Sequence, residues 1–344
     1  MLSAEGPLPA LAVALAAAST SALLAHLLTP AVIERHRALG IVGVDCHKPG
    51  APEVPEMGGL SIVASTAAGA LVVILAAPWE RVRALAFLAT FLSAAAVGAY
   101  DDLRVLGALT KTALTVLCCL PIVLAALACP SEVPIGRPVL PLVGPLRLTI
   151  IYWALLPLSI AVPANAVNMI DVFNGVMPAT SLLASLSLLA SGLLLGKWTA
   201  VYLSAPLIGS LAAYYRFNKY PAKVFSGDVG SLSVGAAIGA IAVLSGLEVV
   251  GVVALMPHIT NAFHSLASAG GLFERRERRA SPIVVRGDGL LEANPSPEAP
   301  LTLANLILST GPLSEREAAR CFVALSALSS ALAVATAALM PVRL

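Results

Sequence analysis

The chain has 344 residues, of which 58% are apolar and 12% charged, at a mean hydropathy of +0.90; globular chains carry roughly 45–50% apolar and about 25% charged residues. So few charges cannot cover the surface of a water-soluble fold, which excludes a soluble enzyme and a disordered, tail-rich chain. The net charge of +2, from 21 Lys and Arg against 19 Asp and Glu, leaves no broad basic face and argues against a nucleic-acid partner.

A membrane-crossing helix needs about 20 apolar residues. Between successive charged residues the sequence offers ten such stretches, at 6–33, 57–79, 84–100, 112–131, 148–170, 172–196, 198–215, 229–247, 249–273 and 321–342. A soluble bundle helix keeps a polar stripe, whereas Leu182–Leu195 is apolar on every side. The expected fold is therefore an all-α polytopic membrane protein of about ten transmembrane helices, organised as one integral membrane domain over residues 1–344. The first stretch reads as a retained helix: residues 1–5 hold Glu5 and no Lys or Arg, and the apolar run exceeds the ~7–15 residues of a signal-peptide core. Cys46, Cys118, Cys119, Cys129 and Cys321 lack zinc-type spacing and read as small packing residues, with no disulfide framework implied.

Alternating the ten stretches places loops 29–59, 101–111, 214–228 and 266–320 on one side, with fifteen of the 21 Lys and Arg. That bias makes this side cytoplasmic and puts both termini outside; Arg81 and Arg83 run against it. Loop 266–320 is the one long connection. It is expected to form a small cytoplasmic substrate-binding appendage between the ninth and tenth helices, with a hairpin over Pro282–Gly289 turning at Gly287-Asp-Gly289.

Four polar motifs follow along the chain, all at ends of apolar stretches on the cytoplasmic side. The first, Asp45-Cys-His-Lys-Pro-Gly-Ala-Pro-Glu-Val-Pro-Glu-Met-Gly-Gly59, is proline-rich and predicts an extended, helix-free loop. Within it Lys48 could meet a phosphate as a point charge, and Glu56 could orient a ligand or cap the next helix. The second is Asp101-Asp102 with Lys111 nine residues on. Adjacent helical residues point about 100° apart, so the two carboxylates serve different partners.

The third motif is Asn165-Ala-Val-Asn168-Met-Ile-Asp171-Val-Phe-Asn174-Gly175. A three-residue repeat drifts by about 60° per step on a helix; Asn165 and Asn168 are expected inside the bundle, while Asp171 and Asn174 fall at the helix end. The fourth, Val224-Phe-Ser-Gly-Asp228-Val-Gly-Ser231, sets an Asp between glycines at a helix start, where backbone amides can face a charged ligand. Carboxylates, carboxamides and lysines without a Cys or His cluster imply a hard, oxygen-ligated cation such as Mg²⁺. A membrane-bound site of this kind suits a polyphosphate donor and a lipid acceptor. A transporter of nucleotide sugars or lipid-linked sugars would also use ten spans and polar membrane residues. Its polar groups would gather near the bilayer midplane rather than at one set of helix ends.

In this order the four motifs resemble the polyprenyl-phosphate N-acetylhexosamine-1-phosphate transferase superfamily, glycosyltransferase family 4, over residues 41–292. The resemblance implies a ten-span bundle with a cytoplasmic active site and Mg²⁺ dependence, Mn²⁺ being an acceptable substitute. It further implies transfer of GlcNAc-1-phosphate from UDP-GlcNAc to a polyprenyl (dolichyl) phosphate, with UMP released. The histidine run of the bacterial members is absent, and Arg275-Arg-Glu-Arg-Arg279 is similar to the Arg-rich loop of the dolichol branch, which is tunicamycin-sensitive. Val172 departs from the Gly usual after the Asp in bacterial members.

The roles carried over are as follows. Asp228 and Asn168 hold the metal on the diphosphate. Asp101, Asp102, Lys111 and Asp228 form the catalytic set, with Lys111 on a phosphate and Asp101, beside Asp102, positioning or deprotonating the acceptor phosphate. Asn174 recognises uracil, and Arg278 and Arg279 meet the diphosphate or the sugar. Lys48, Glu56, Asn165 and Asp171 complete the substrate-binding set, and a homodimer is allowed.

Overall fold

The computed structural model of the chain describes residues 7–48, 50–269 and 280–342. Helices dominate: α1 (Pro7–Leu39), α2 (Gly59–Ala76), α3 (Arg81–Leu103), α4 (Ala108–Leu117), α5 (Leu120–Ala128), α6 (Thr149–Leu155), α7 (Leu158–Ile170), α8 (Val176–Leu195), α9 (Trp198–Asn218), α10 (Gly227–Ser245), α11 (Glu248–Ala254), α12 (Met256–Ala269), α13 (Leu303–Leu308) and α14 (Glu315–Leu339). The chain is an all-α polytopic membrane protein. Each apolar stretch read from the sequence falls on one helix or one broken pair.

Three spans are broken, each beside a proline. Pro121 sits in the first turn of α5, Pro157 precedes α7, and Pro257 is the second residue of α12. Proline lacks the amide that would continue the ladder and clashes with the carbonyl four residues back, so a helix restarts around it. The α11–α12 break bends by 68°.

By length and apolarity, eight helices among the described residues can cross a membrane, or nine with the bent α11–α12 pair counted as one, against about ten expected. The difference is α9. It carries Tyr202, Ser204, Ser210, Tyr214 and Arg216, most of its residues are buried, and it packs on α1, α2, α8 and α10. A helix enclosed by other helices has no need of a lipid-facing surface. At the centre lies α10, buried at every position from Val229 to Ser245 and in contact with α3, α7 and α9; a helix apolar all round belongs in a core. Lys197 closes its far end by donating to the carbonyls of Ser245 at 3.0 Å and Gly246 at 2.6 Å. Burial pulls the Lys197 ammonium below its ordinary pKa, and the nearby Glu248 pushes back.

Helix limits depart from the charge-delimited stretches in one systematic way. α3, α4 and α10 run past those limits and take Asp101, Asp102, Lys111 and Asp228 into their terminal turns. The same effect corrects the 266–320 loop. α14 begins at Glu315 rather than at residue 321, because Ser314 and Glu317 form a reciprocal capping box. Arg316 and Arg320 are therefore helical, and α13 interrupts the remainder of the loop.

Among the described residues three short hairpins decorate the helix ends: β1 (Val42–Val44) with β2 (Glu53–Pro55), β3 (Val139–Leu140) with β4 (Gly144–Pro145), and β5 (Ile283–Val285) with β6 (Leu291–Ala293). The expected hairpin is present, but its second strand lies just beyond Gly289, with Ile283 opposite Ala293. The first motif is helix-free as expected, and its Glu53–Pro55 strand pairs with Val42–Val44, a pairing the proline pattern did not announce. Ile283, Leu291, Leu308 and Phe322 form an apolar cluster with Ile170, Phe173 and Val176, which docks the β5–β6 hairpin and α13 onto the α7–α8 turn.

Candidate active site

Backbone contacts bring the motifs together. The Gly58 and Gly59 amides donate to the carbonyls of Phe225 and Ser226, and the Phe225 amide donates to the Pro55 carbonyl, all at 2.8 Å. The first and fourth motifs thus lie edge to edge. In α3, a Cβ on Gly98 would overlap the backbone of Asp228 and Val229. Only glycine lets α3 cross α10 this closely, and the crossing sets Asp101 and Asp102 beside Asp228.

At the centre the Lys111 ammonium lies 2.5 Å from Asp101 Oδ2 and 2.6 Å from Asp228 Oδ2. Asn168 Nδ2 donates to Asp228 Oδ1 at 2.6 Å and to Ser231 Oγ at 2.9 Å. The Leu106 amide donates to Asp101 Oδ1 at 2.6 Å. Asp101 and Lys111 are buried, while the Asp228 side chain keeps 27% of its surface exposed. Two carboxylates share one ammonium, so the trio is formally anionic and its accessible member is Asp228. That arrangement suits a further cation approaching Asp228.

Asp102 has a different partner set. Its two oxygens accept from the backbone amides of Asp228 at 2.8 Å and Val229 at 3.0 Å. Adjacent carboxylates with different partners are what helical geometry predicts. One expectation changes: the first amides of α10 are bound by Asp102, so they do not face a ligand in this state.

A second polar cluster surrounds Asn174. Its Oδ1 accepts from Lys48 Nζ and the Ala222 amide, each at 2.7 Å, and its Nδ2 donates to Asp45 Oδ2 at 3.3 Å. Its backbone amide donates to Glu315 Oε1 at 2.8 Å. Lys48 also pairs with Asp45, lies 3.7 Å from Glu315 Oε2, and stands 4.8 Å over the Tyr220 ring. Gly175 follows at φ +82°, a left-handed turn that starts α8, with its amide donating to Asn218 Oδ1 at 3.1 Å. The Asn174 Oδ1 accepts two hydrogen bonds and its Nδ2 donates one, which leaves one N–H of the carboxamide uncommitted among the described residues. Asp45, His47 and Glu315 bring three ligand atoms within 4.8 Å of one another. Lys48 offsets one of that group's two carboxylate charges.

The other expected residues are placed as follows. Asn165 donates to Thr115 Oγ1 at 2.9 Å and to the Ala161 carbonyl at 2.8 Å, so it joins α7 to α4 inside the bundle. Glu56 is half-buried against Gly43, and its carbonyl lies 2.7 Å from His36 Nδ1. Asp171 is half-buried at the C-terminal cap of α7, its amide donating to the Asn168 carbonyl at 3.3 Å. Arg278 and Arg279 lie outside the described residues. Glu315, Tyr220 and Asn218 join the second cluster without having been singled out from sequence. The Ser314-x-x-Glu317 cap signal would have found Glu315 by starting the helix there.

Residues 84–246 match the family model described as glycosyl transferase family 4. A Saccharolobus solfataricus protein, provisionally named a UDP-N-acetylglucosamine–dolichyl-phosphate N-acetylglucosaminephosphotransferase, is 30% identical over 232 residues, covering 65% of this chain and 68% of its own. A provisionally named glycosyltransferase of Methanocaldococcus jannaschii is 31% identical over 274 residues, covering 79% and 80%. A Sulfolobus acidocaldarius protein with the same provisional name as the first is 28% identical over 213 residues, covering 59% and 62%. The match takes in Asp101, Asp102, Lys111, Asn168, Asn174 and Asp228, and with relatives this similar over most of their length the chain belongs to glycosyl transferase family 4.

Proposed function

We propose that the chain is a Mg²⁺-dependent transferase that moves GlcNAc-1-phosphate from UDP-GlcNAc to a polyprenyl phosphate, dolichyl phosphate in the simplest case. The products are polyprenyl-diphosphate-GlcNAc and UMP, the start of a lipid-linked glycan for N-glycosylation or the cell surface. The carrying observation is Lys111 held between Asp101 and Asp228 at the ends of membrane-spanning helices. The names of the Saccharolobus and Sulfolobus relatives point the same way. The Lys and Arg bias of the loops supports a cytoplasmic site.

The residues at Asp228 fit a divalent cation. A partly exposed carboxylate and the formal negative charge of the trio suit a hard cation, and the Asn168 carboxamide, whose nitrogen faces Asp228 here, would turn its oxygen to join the donor set. Asp228 and Asn168 would hold Mg²⁺, which when bound neutralises diphosphate charge and stabilises the departing UMP.

An acceptor phosphate oxygen attacks the β-phosphorus of UDP-GlcNAc; the bond from that phosphorus to the bridging oxygen breaks, and UMP carries the electron pair away. Lys111 pairs with non-bridging oxygens where charge develops. Asp101 positions the acceptor and takes a proton if the monoester still carries one. With a second pKa near 6, a phosphate monoester is largely dianionic at pH 7, so alignment matters more than activation. Asp102 holds the α10 start in place.

The test is incubation of purified protein with radiolabelled UDP-GlcNAc, dolichyl phosphate and Mg²⁺. UMP release with label entering the lipid phase is expected. Label crossing into sealed vesicles without UMP would replace the transferase by a transporter.

A further inference from the structure

Beside Asn174, and sharing no lining residue with the Lys111 centre, a cleft of about 480 Å³ opens between the C-terminal end of α9 and the first turns of α14. Both helices pack against α8. One end of the cleft is basic and aromatic: Tyr215 and Lys219 from α9, Tyr220 just beyond it, and Arg316 and Arg320 from α14. Lys219, Arg316 and Arg320 are exposed, and none forms an ion pair with a carboxylate among the described residues. Arg316 stands 5.2 Å over the Tyr220 ring, which holds its guanidinium at the mouth.

The nearby acids are engaged elsewhere. Glu315 is buried against the Asn174 amide, and the Glu317 carboxylate accepts from the Ser314 amide and hydroxyl. Among the described residues no Asp or Glu lines the cleft.

The other end is apolar. Ala319, Val323, Ala324 and Ala327 continue along α14 from Arg316 and Arg320 at helical spacing, on a helix apolar enough to cross the membrane. The cleft therefore runs from three cations at the helix ends, none in a close ion pair among the described residues although Glu317 lies near Arg320, to a stripe of small apolar residues on a helix long enough to cross the membrane. That sequence of chemistries, phosphate-binding and then chain-binding, is the outline of a phospholipid.

We propose that this cleft is a binding site for an anionic phospholipid of the surrounding membrane. The headgroup phosphate sits among Lys219, Arg316 and Arg320, and an acyl or isoprenoid chain lies along Ala319, Val323 and Ala327. A soluble phosphate would leave the apolar half empty, and a zwitterionic lipid would bring its own cation to three others. Asn174 and Gly175 line one edge of the cleft, so it borders the proposed substrate site; the test below counts retained lipid and not turnover, which keeps its failure distinct from failure of the transferase reading.

The test uses the full chain in phosphatidylcholine nanodiscs with a minor fraction of phosphatidylglycerol, followed by release into the gas phase and counting of retained lipids by native mass spectrometry. Wild-type protein is expected to retain one phosphatidylglycerol in preference to phosphatidylcholine. One basic residue near a lipid surface is worth about fivefold in affinity, so K219Q/R316Q/R320Q should weaken retention on the order of 10²-fold. The charge-keeping variant K219R/R316K/R320K should still retain the lipid, and its retention answers any doubt over folding of the neutral variant. R35Q/R37Q, which removes exposed cations at the end of α1, should leave retention unchanged. Equal retention of the two lipids by wild type, equal retention by the neutral triple variant, or an equal loss in R35Q/R37Q would each overturn the proposal.

Discussion

Asp102 accepts the backbone amide of Asp228 at 2.8 Å, so the last turn of α3 caps the first turn of α10 from another helix. The neighbouring Val229 amide reaches the second oxygen at 3.0 Å. This clasp fixes the backbone from which the Asp228 side chain projects toward Lys111 and Asn168. Asp102 thus acts through position, whereas Asp101, one residue earlier, touches Lys111 directly.

Asp102→Ala should therefore lower stability as well as turnover. Two buried amides lose their acceptor, at about 1–3 kcal/mol, and Asp228 is released from its alignment. Asp102→Asn keeps one acceptor oxygen and should fall between the two. Asp101→Asn keeps an acceptor for the Leu106 amide and should lose turnover with little change in unfolding temperature. Thermal unfolding in detergent beside turnover of each variant separates the cases. A fully stable but inactive Asp102→Asn protein would move Asp102 into the reacting set.

Lys111 balances two carboxylates, so its removal acts on both chemistry and charge. Lys111→Ala should reduce turnover by roughly 10²-fold or more if the ammonium meets developing charge. It also leaves Asp101 and Asp228 facing each other uncompensated. The double variant Lys111→Ala/Asp101→Asn should recover stability without recovering rate. Recovery of rate as well would show that Lys111 serves only to neutralise Asp101.

The sequence announces the membrane bundle because apolar length is a local property, readable stretch by stretch. The Lys111 centre is readable for a related reason: Asp101, Lys111, Asn168 and Asp228 each sit at the end of an apolar run, where a polar residue needs a partner. The partner assignments are not local. That Asp102 would take the α10 amides, or that Asn174 would be held by Lys48 and Asp45, depends on contacts 126 to 129 residues apart. Glu315 was hidden by the rule that ends a span at its first charge, which counts a helix's own capping residues as loop.

The Asn174 cluster offers a charge-balance test. Lys48 faces Asp45, which is 2% exposed, and Glu315, which is 4% exposed. Lys48→Met strands two buried carboxylates, and breaking a buried pair this way costs about 3–5 kcal/mol. Combining Lys48→Met with Asp45→Asn should return part of that loss. Turnover of the double variant then reads the part played by Lys48 in substrate binding, as a rise in KM for UDP-GlcNAc with kcat less affected. A double variant no more stable than Lys48→Met would mean the two side chains are not coupled.

Asp228 is the remaining test of the metal. It is the most accessible member of the anionic trio, and Asn168 and Lys111 hold its two oxygens in place. Asp228→Asn keeps the shape and one hydrogen-bonding oxygen but removes the charge that would meet a divalent cation. The folded variant should lose Mg²⁺-stimulated transfer, with a turnover loss of about 10²-fold or more if that charge is spent on the metal. Chelation with EDTA should bring the wild-type enzyme to a similar rate, and added Mg²⁺ or Mn²⁺ should restore the wild type and not the variant. Asn168→Ala should weaken the apparent Mg²⁺ affinity more than it lowers the rate at saturating metal, because it removes one ligand and leaves the carboxylate. Wild-type turnover by Asp228→Asn, or full activity after exhaustive chelation, would remove this carboxylate from metal binding and leave the Asp101–Lys111–Asp228 arrangement as a structural ion pair.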